Sequence, residues 1–315
     1  MKNRNIQQLR LIGLPVFHNL QDLAELIHIR KELLNRVIAT TSKFYNAFSI
    51  KKRSGGEREI EEPADFLKGI QAWILRNILD RLEPSAFATA YRSNIGLTAN
   101  VGPHRNNRYF LCLDFADFFP SINRSRVERT FTYAGYDTEA GRILAALCTL
   151  RNHLPQGAVT SPALSNLVAA KLDRRLAGLT SRRNIVYTRY ADDLTFSSNS
   201  PKILRVTGPL IERIVCNEHF TVNPNKTRFM GPRIRTVVTG MTKESSVAGF
   251  RVGRTKKRKV RAAMWNLLVK KLPAHPYKSE TAINGFLSHV KNVDRRSYEQ
   301  LSIYWQNLRS KVGPK

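Results

Sequence analysis

The sequence is poor in acidic residues. Its 315 residues include 24 Asp and Glu against 52 Lys and Arg, a formal net charge of +28. Because a strongly basic surface binds phosphates and releases their counterions, this surplus makes a polyanion, and nucleic acid first, the expected partner. Hydrophobic residues make up 42% and charged residues 24%, which is ordinary for a globular protein and disfavours a wholly disordered chain.

Cysteines and long apolar runs are also scarce. Cys112, Cys148 and Cys216 are odd in number, far apart and set among apolar neighbours, which neither a disulfide framework nor a CxxC zinc site would produce. No apolar run approaches the roughly 18 residues of a membrane span, and the N-terminal segment is too polar for a signal sequence. We therefore expect a soluble cytoplasmic protein with no membrane partner.

Acidic residues stand beside two predicted β elements. The apolar run 109–113 predicts a central strand that ends at Asp114. Two β-prone runs flank Asp192 and Asp193 and predict a hairpin with these residues at its tip. An Asp-Asp pair alone usually reflects turn chemistry. Phosphoryl transfer, however, needs carboxylates from separate elements around two Mg²⁺ ions, and a strand-end Asp facing a hairpin-tip Asp would supply them.

Other segments organise the rest of the chain. Residues 44–50 and 59–60 predict a hairpin with a cationic tip, and apolar residues at helical spacing predict a helix over 66–82. From Ser245 to Ser279 there is no acidic residue, and helices are expected around 281–291 and 297–310. The composition shift after residue 240 marks a second functional region.

Three segments carry a resemblance to a known family. They are Asp-Phe-Ala-Asp-Phe-Phe-Pro-Ser at 114–121, Leu-Pro-Gln-Gly-Ala at 154–158 and Tyr-Ala-Asp-Asp at 190–193. Their order and approximate spacing resemble polymerase motifs A, B and C of reverse transcriptases. Each segment alone is a weak signal, but the combination is highly specific.

The resemblance implies a catalytic site. Asp114 and Asp192 match the two metal ligands shared by the family, the carbonyl of Phe115 would complete a metal site, and Asp193 would be the supporting acidic partner. The implied cofactor is a pair of Mg²⁺ ions.

A nucleotide site for dNTPs is implied as well. Phe119 matches the bulky residue that stands where a ribose 2′-OH would project, although its ring would also suit core packing. Gln156 and Gly157 match the motif that lines the nascent base pair, where glycine permits close backbone approach. The remaining matches are basic. Arg58, with Lys51 or Lys52, matches residues that grip the triphosphate, and Lys226 matches a lysine near the pyrophosphate; each of these would also suit a solvated surface.

Two short elements make the chain similar to bacterial retron reverse transcriptases in particular. Asn100 and His104 match a retron Asn-Ala-x-x-His element, with Val101 in place of the usual Ala, and Val238-Thr239-Gly240 matches a retron Val-Thr-Gly element. In the retron interpretation both elements contribute to RNA binding.

The expected fold is α+β, a right-hand polymerase with fingers, palm and thumb. We expect an N-terminal helical segment over 1–43, interleaved fingers and palm over 44–241, and a basic helical thumb over 242–315. The thumb is predicted to bind RNA, either as a general phosphate-binding face or as a reader of one structured RNA. Its candidate contacts are Arg254, Lys256, Lys257, Arg258, Lys259 and Arg261.

The function implied is RNA-directed DNA synthesis. By analogy with retrons, part of a cognate structured non-coding RNA would be copied into multicopy single-stranded DNA (msDNA), primed from an RNA 2′-OH, in a role in anti-phage defence with a toxic or effector protein as a further partner. The alternatives are a group II intron-like or diversity-generating reverse transcriptase, and an RNA-holding antitoxin scaffold.

Overall fold

The computed structural model describes residues 2–51, 55–234, 236–243, 249–272 and 277–312. The helices are α1 (Lys2–Leu11), α2 (Leu20–Leu26), α3 (Lys31–Ala39), α4 (Asp65–Asn77), α5 (Leu97–Val101), α6 (Arg124–Ala134), α7 (Thr138–Cys148), α8 (Ser161–Val168), α9 (Ala170–Ser181), α10 (Pro201–Asn217), α11 (Arg254–Trp265), α12 (Glu280–Val293) and α13 (Arg295–Val312). The strands are β1 (Tyr45–Lys51), β2 (Glu57–Pro63), β3 (Tyr109–Ala116), β4 (Val186–Tyr190), β5 (Asp193–Ser198), β6 (Thr221–Val222), β7 (Arg228–Met230), β8 (Val237–Val238), β9 (Met241–Lys243) and β10 (Phe250–Arg251). Within these ranges, no helix is both long and apolar enough to cross a membrane.

The chain divides into two compact units that each draw on several segments. The first unit comprises residues 1–92, 114–179 and 210–223, and the second comprises residues 93–113, 180–209 and 224–315. Helices and antiparallel strands occur in both units, so the fold class is α+β.

The first unit is built around α7. Of the α7 side chains, Leu144, Leu147 and Cys148 are fully buried, and helices α3, α4 and α6 pack against this helix. Asp137 caps its start, since the carboxylate accepts the Ala140 N–H at 2.9 Å. The β1–β2 hairpin belongs to the same unit, with Ile50 opposite Arg58. This hairpin confirms the strand pair predicted over 44–60.

The central sheet has the strand order β4-β5-β3-β6, with β7 also paired to β3. Pairing is antiparallel between β3 and β7, where Phe110 lies opposite Met230, and between β4 and β5, where Tyr187 lies opposite Phe196. The hairpin predicted around Asp192 is therefore confirmed. The strand predicted to end at Asp114 instead continues to Ala116, because Phe115 and Ala116 still pair with β6.

The helix predicted over 66–82 is shorter than expected. It ends at Asn77, and a 3₁₀ turn over Leu79–Arg81 follows. The Asn77 side-chain amide donates to the Trp73 carbonyl at 2.9 Å. Asparagine side chains that bond the local backbone in this way compete with helix continuation.

In the second unit, α11, α12 and α13 pack around a shared apolar cluster. Val260, Ile283 and Leu301 are among its buried members. The helices predicted around 281–291 and 297–310 are confirmed, each with slightly wider bounds. A second cluster joins Val101, Phe110, Phe250 and Val290, so the first half of β3 packs with α5, β10 and α12 in this unit.

Candidate active site and nucleic-acid interface

Asp114 lies inside β3 and is only 8% exposed. Its backbone carbonyl accepts the Asn223 N–H at 2.8 Å, which directs that carbonyl toward β6. Backbone carbonyls alternate in direction along a strand, so the carbonyl of the next residue, Phe115, points toward the opposite edge. That orientation leaves the Phe115 carbonyl outside the β3–β6 ladder.

Asp192 occupies the tip of the β4–β5 hairpin. Tyr190 pairs with Asp193, so Ala191 and Asp192 form a two-residue loop. Ala191 has φ +57°, a left-handed conformation that is uncommon for a residue other than glycine. Arg189, which is fully buried, donates from Nη1 to the Ala191 carbonyl at 3.2 Å. The buried guanidinium thus holds the backbone immediately before Asp192.

Asp193 begins β5, the strand next to β3 in the central sheet. Burial raises the pKa of the Cys112 thiol on β3 to about 11; the positive charge of Arg228 and a hydrogen bond with Thr195 oppose this shift, while the negative charge of Asp193 adds to it. The charge of Asp193 therefore acts on a group of β3 two residues before Asp114.

The predicted carboxylates belong to both units: Asp114 to the first, Asp192 and Asp193 to the second. Among the described residues, no group of three or more His, Cys, Asp or Glu side chains gathers as a metal cluster. Two carboxylates and a backbone carbonyl are nevertheless the hard oxygen donors that Mg²⁺ prefers, and this ion usually takes one or two carboxylates with the rest of its shell from water or substrate. The predicted donors are therefore of the chemical type that binds Mg²⁺.

Gln156 and Gly157 lie against the β1–β2 hairpin. The Gln156 carbonyl accepts the Glu61 N–H at 2.8 Å. A Cβ placed on Gly157 would lie 2.7 Å from the Glu61 carbonyl oxygen, and Gly157 has φ +136°. Both observations require glycine at this position. Glu61 is also hydrogen-bonded to His153 at 3.0 Å, so this loop is attached to β2 at two points.

Phe119 is half-buried rather than part of the core. Its ring centroid lies 6.3 Å from that of Tyr91, which is 49% exposed. The preceding Phe118 fills the core instead. Its ring is stacked on Phe115 with centroids 5.3 Å apart and is tilted against Phe220 at 5.6 Å. Phe119 and Tyr91 therefore form an aromatic pair that is partly exposed.

Two of the predicted basic contacts to nucleotide are exposed side chains. Arg58 is exposed on β2, and Lys226 is exposed at the end of a 3₁₀ turn that follows Asn223. Lys52 lies outside the described residues. The roles of Arg58 and Lys226 remain predictions.

Asn100 and His104, predicted to bind RNA, are fully buried. His104 lies 2.6 Å from Ser197 Oγ through Nδ1 and 2.8 Å from Thr188 Oγ1 through Nε2. Thr188 in turn donates to Asn100 Oδ1 at 2.7 Å. Burial lowers the pKa of His104 to about 3, with a smaller contribution from Lys243, so the imidazole is neutral. These two side chains brace α5 and the following turn against β4 and β5, and their burial does not offer them to RNA.

The Val238-Thr239-Gly240 element is a tight turn between β8 and β9. Val238 pairs with Met241, and Thr239 and Gly240 both have positive φ, as a type I′ turn requires. The Asn100 amide donates to Thr239 Oγ1 at 3.2 Å, so the two retron-like elements contact each other. Val238 is buried, which gives it a core role. Lys256 donates to the Gly240 carbonyl at 2.9 Å.

The predicted basic contacts on α11 line a groove. Its volume is about 550 Å³, and it lies between α11 and the part of α13 that contains Leu301. The basic residues that line it are Arg254, Lys257, Arg258 and Arg261. Arg261 lies over the Tyr304 ring at 4.5 Å, and Lys257 donates to Ser297 Oγ at 3.2 Å, so both are anchored to α13. Lys259 is exposed on the same helix, outside the lining.

Sequence reasoning missed some residues that the structure brings to these sites. Arg189 could have been noticed, because a charged residue inside a β-prone run is unusual and needs a partner if it is buried. Tyr91 and Glu61 carried no such signal, since their contacts with Phe119 and Gly157 are made across long sequence separations.

Comparison with known proteins shows which family the chain belongs to. A family model described as reverse transcriptase (RNA-dependent DNA polymerase) matches residues 50–261. Retron Ec86 reverse transcriptase from Escherichia coli is 34% identical over 98% of this chain and 95% of its own length. Retron Mx65 reverse transcriptase from Myxococcus xanthus is 32% identical over 96% of this chain and 76% of its own. The chain belongs to the retron reverse transcriptases and is an RNA-directed DNA polymerase.

Among solved structures, a telomerase from Candida albicans in complex with a fragment of telomeric RNA matches 88% of this chain and 59% of its own, with a TM-score of 0.49 and 10% identity. A likeness of that strength carries no argument about function.

Proposed function

We propose that the chain copies part of a structured non-coding RNA into msDNA. The observation that carries the proposal is the full set of motif carboxylates, Asp114, Asp192 and Asp193, in a chain of this family. A scaffold that had lost catalysis would have no need to keep them. The right-hand arrangement of fingers, palm and thumb, with the boundaries 1–43, 44–241 and 242–315, is part of the proposal.

Asp114, Asp192 and the Phe115 carbonyl would hold two Mg²⁺ ions, with Asp193 as the supporting acid. Such ions activate a hydroxyl nucleophile and stabilise the charge of the leaving pyrophosphate. The chain's own contribution is to fix the donors. Asp114 is set within a paired strand, and the carbonyl before Asp192 is held by the buried Arg189.

Some of the proposed nucleotide contacts act by steric fit and others by positive charge. Phe119 would exclude the ribose 2′-OH, and its half-buried ring beside Tyr91 supports a surface role over a core role. The loop at Gln156 and Gly157 would border the nascent base pair, supported by its attachment to β2. Arg58, Lys52 and Lys226 would bind the triphosphate.

The groove on α11 would bind the RNA backbone. Arg254, Lys257, Arg258 and Arg261 present their charges along one lining, with Lys256 and Lys259 on the same helix. Contacts from α13 fix two of these side chains, and charges fixed in place can distinguish one RNA shape from another.

The remaining features are proposed by analogy with retrons: priming from an RNA 2′-OH, a defence role against phage and a toxic or effector protein as partner. A cytoplasmic location fits the free thiols of Cys112, Cys148 and Cys216, since disulfides are rare in that compartment.

The test is to purify the chain from its native host and sequence the nucleic acid that accompanies it. We expect an RNA covalently joined to a DNA copy of part of itself. The matched control, Asp192→Asn, should retain the RNA and lack the DNA. Bulk cellular RNA with both proteins would overturn the proposal of msDNA synthesis from a cognate RNA. DNA joined to RNA in the Asp192→Asn sample would remove that residue from catalysis.

A further inference from the structure

The second unit contains a separate cavity of about 340 Å³, bordered by α5 and the turn after it, by β10 and by the start of α13. Four arginines line it: Arg105, Arg251, Arg295 and Arg296. The lining also includes Thr98 and the apolar side chains of Val101, Phe250 and Val293. An arginine rim over an apolar wall suits a ligand with one anionic and one flat apolar part.

The charge of this arginine cavity is strongly positive. Asp294 is the only carboxylate among its lining residues, and its oxygens already accept the Val252 N–H at 3.1 Å and the Ser297 N–H at 3.0 Å. Arg295 pairs with Glu299 at 3.1 Å, but both side chains are more than half exposed, and such pairs contribute little. Arginine is the side chain best suited to phosphate, because its planar fork donates two parallel hydrogen bonds.

Buried contacts fix the walls of the cavity. Asn100 and His104 point inward and brace α5 and its following turn, which leaves Thr98 and Arg105 on the lining. Lys243 donates to the Arg105 carbonyl. Asp294 joins the segment after Arg251 to the first turn of α13. The arginines are therefore presented by backbone that is already ordered, which lowers the entropy lost on binding.

We propose that the arginine cavity binds one unpaired nucleotide of the structured RNA, with its phosphate on Arg105 and Arg296 and its base against Val293 and the edge of Phe250. The inference rests on the proposed function, since it names where that RNA is recognised. Proteins that read RNA by sequence bind mainly unpaired nucleotides, whose bases can leave the stack and enter a pocket. A continuous duplex could offer only its phosphates to this site.

The assignment changes the role of the retron-like element at 100–104. Its conspicuous polar residues, Asn100 and His104, are positioning residues that hold the wall. The contact with RNA falls to the neighbouring Arg105, a residue that lies just outside the motif.

The test compares two double variants that remove the same charge. Arg105→Gln/Arg296→Gln alters the cavity, and Arg182→Gln/Arg213→Gln removes two exposed arginines elsewhere. The probe is the RNA sequenced from the native complex, transcribed and fluorescently labelled, with Kd measured by anisotropy over a range of salt. We expect the cavity variant to raise Kd by about tenfold or more over the control and to reduce the salt slope by about one phosphate contact.

Extension of oligo(dT) on poly(rA) separates the two proposals. The cavity variant should extend this primer as the wild type does, because the homopolymer lacks the recognised RNA structure. Absence of RNA-joined DNA from the native wild-type complex would refute the proposed function, whatever the cavity variant does. Equal binding losses in the two double variants, or a cavity variant defective on poly(rA), would refute the nucleotide site and leave the polymerase in place.

A cross-linking experiment tests the base contact. The same RNA, transcribed with 4-thiouridine, should cross-link to Phe250 or Val293 at a uridine outside the base-paired stems. Cross-links confined to α11 would overturn the proposal. So would a cross-link at the cavity to a uridine within a stable duplex.

Discussion

Arg189 Nη1 lies 3.2 Å from the carbonyl oxygen of Ala191 and donates a hydrogen bond to it. Ala191 has φ +57°, and the left-handed region is unfavourable by roughly 1–2 kcal/mol for a residue with a Cβ. A fully buried guanidinium thus stabilises a strained backbone one residue before Asp192. Arg189 is a positioning residue for the carboxylate at the hairpin tip.

We predict that Arg189→Lys lowers kcat for single-nucleotide incorporation by tenfold or more and raises the Mg²⁺ concentration needed for half-maximal rate. Lysine keeps the charge but lacks the planar fork that reaches the carbonyl. Exposed Arg182→Lys is the control and should match the wild type. A variant that is only less stable, with an unchanged Mg²⁺ dependence, would show that Arg189 is structural. Ala191→Gly should be active and more stable, because glycine adopts φ +57° without strain.

Much of this local geometry could be predicted from sequence, and the limits have physical reasons. The β-prone runs around Asp192 and the apolar run before Asp114 are local patterns, so both β elements were found. The extension of β3 through Phe115 depends on pairing with Val222, more than a hundred residues away, and no local pattern encodes it. The early end of α4 at Asn77 depends on a side-chain hydrogen bond that competes with the helix.

The RNA-binding predictions also depended on a property that a local sequence pattern does not encode. Asn100 and His104 were predicted to bind RNA because they match a short element of retron reverse transcriptases. The structure uses them as buried hydrogen-bonding groups between α5, β4 and the turn at Thr239. Burial is a property of the whole unit, so the motif alone could not distinguish a ligand contact from an internal brace.

Asp114→Asn and Asp192→Asn should each reduce DNA synthesis by at least about a thousandfold while RNA binding stays within a few fold of wild type, because a metal ligand is lost and the basic surface is not. The matched control is Asp117→Asn, an exposed carboxylate three positions after Asp114 with φ +45°, a conformation that Asn also tolerates. Primer extension with dNTPs and Mg²⁺ measures activity. Near-normal extension by either of the first two variants would exclude that residue from the metal site.

Gly157→Ala should destabilise the fold by more than about 1 kcal/mol and impair nucleotide incorporation, since the added Cβ would lie 2.7 Å from the Glu61 carbonyl oxygen at φ +136°. Gly69→Ala is the control. Gly69 lies inside α4 with open space around its Cβ position, so this substitution should stabilise the protein by up to about 1 kcal/mol. Thermal unfolding and single-turnover incorporation distinguish the two. Equal stability changes in both variants would contradict the close approach at Gly157.

His104 should make stability depend on pH in the weakly acidic range. Its pKa is about 3 in the folded chain against 6.5 when unfolded, so between these values only the unfolded state binds the proton. Stability from this residue is therefore complete above pH 6.5 and falls as the pH drops, by up to about 1.4 kcal/mol per pH unit. Urea unfolding of wild type and His104→Gln between pH 4.5 and 7.5 measures the difference. If the difference in unfolding free energy between wild type and His104→Gln does not vary with pH, His104 is not held neutral.

Phe119 and Phe118 offer a paired test of sugar selection. Phe119→Ala should increase incorporation of ribonucleotides relative to deoxynucleotides and change stability little, because its ring is half-buried beside the exposed Tyr91. Phe118→Ala should lower stability by about 3–5 kcal/mol, because its ring fills the core between Phe115 and Phe220. Competition between rNTPs and dNTPs, with a melting curve for each variant, separates these effects. If Phe119→Ala keeps wild-type sugar discrimination and loses as much stability as Phe118→Ala, Phe119 is a core residue and the 2′-OH must be excluded by another group.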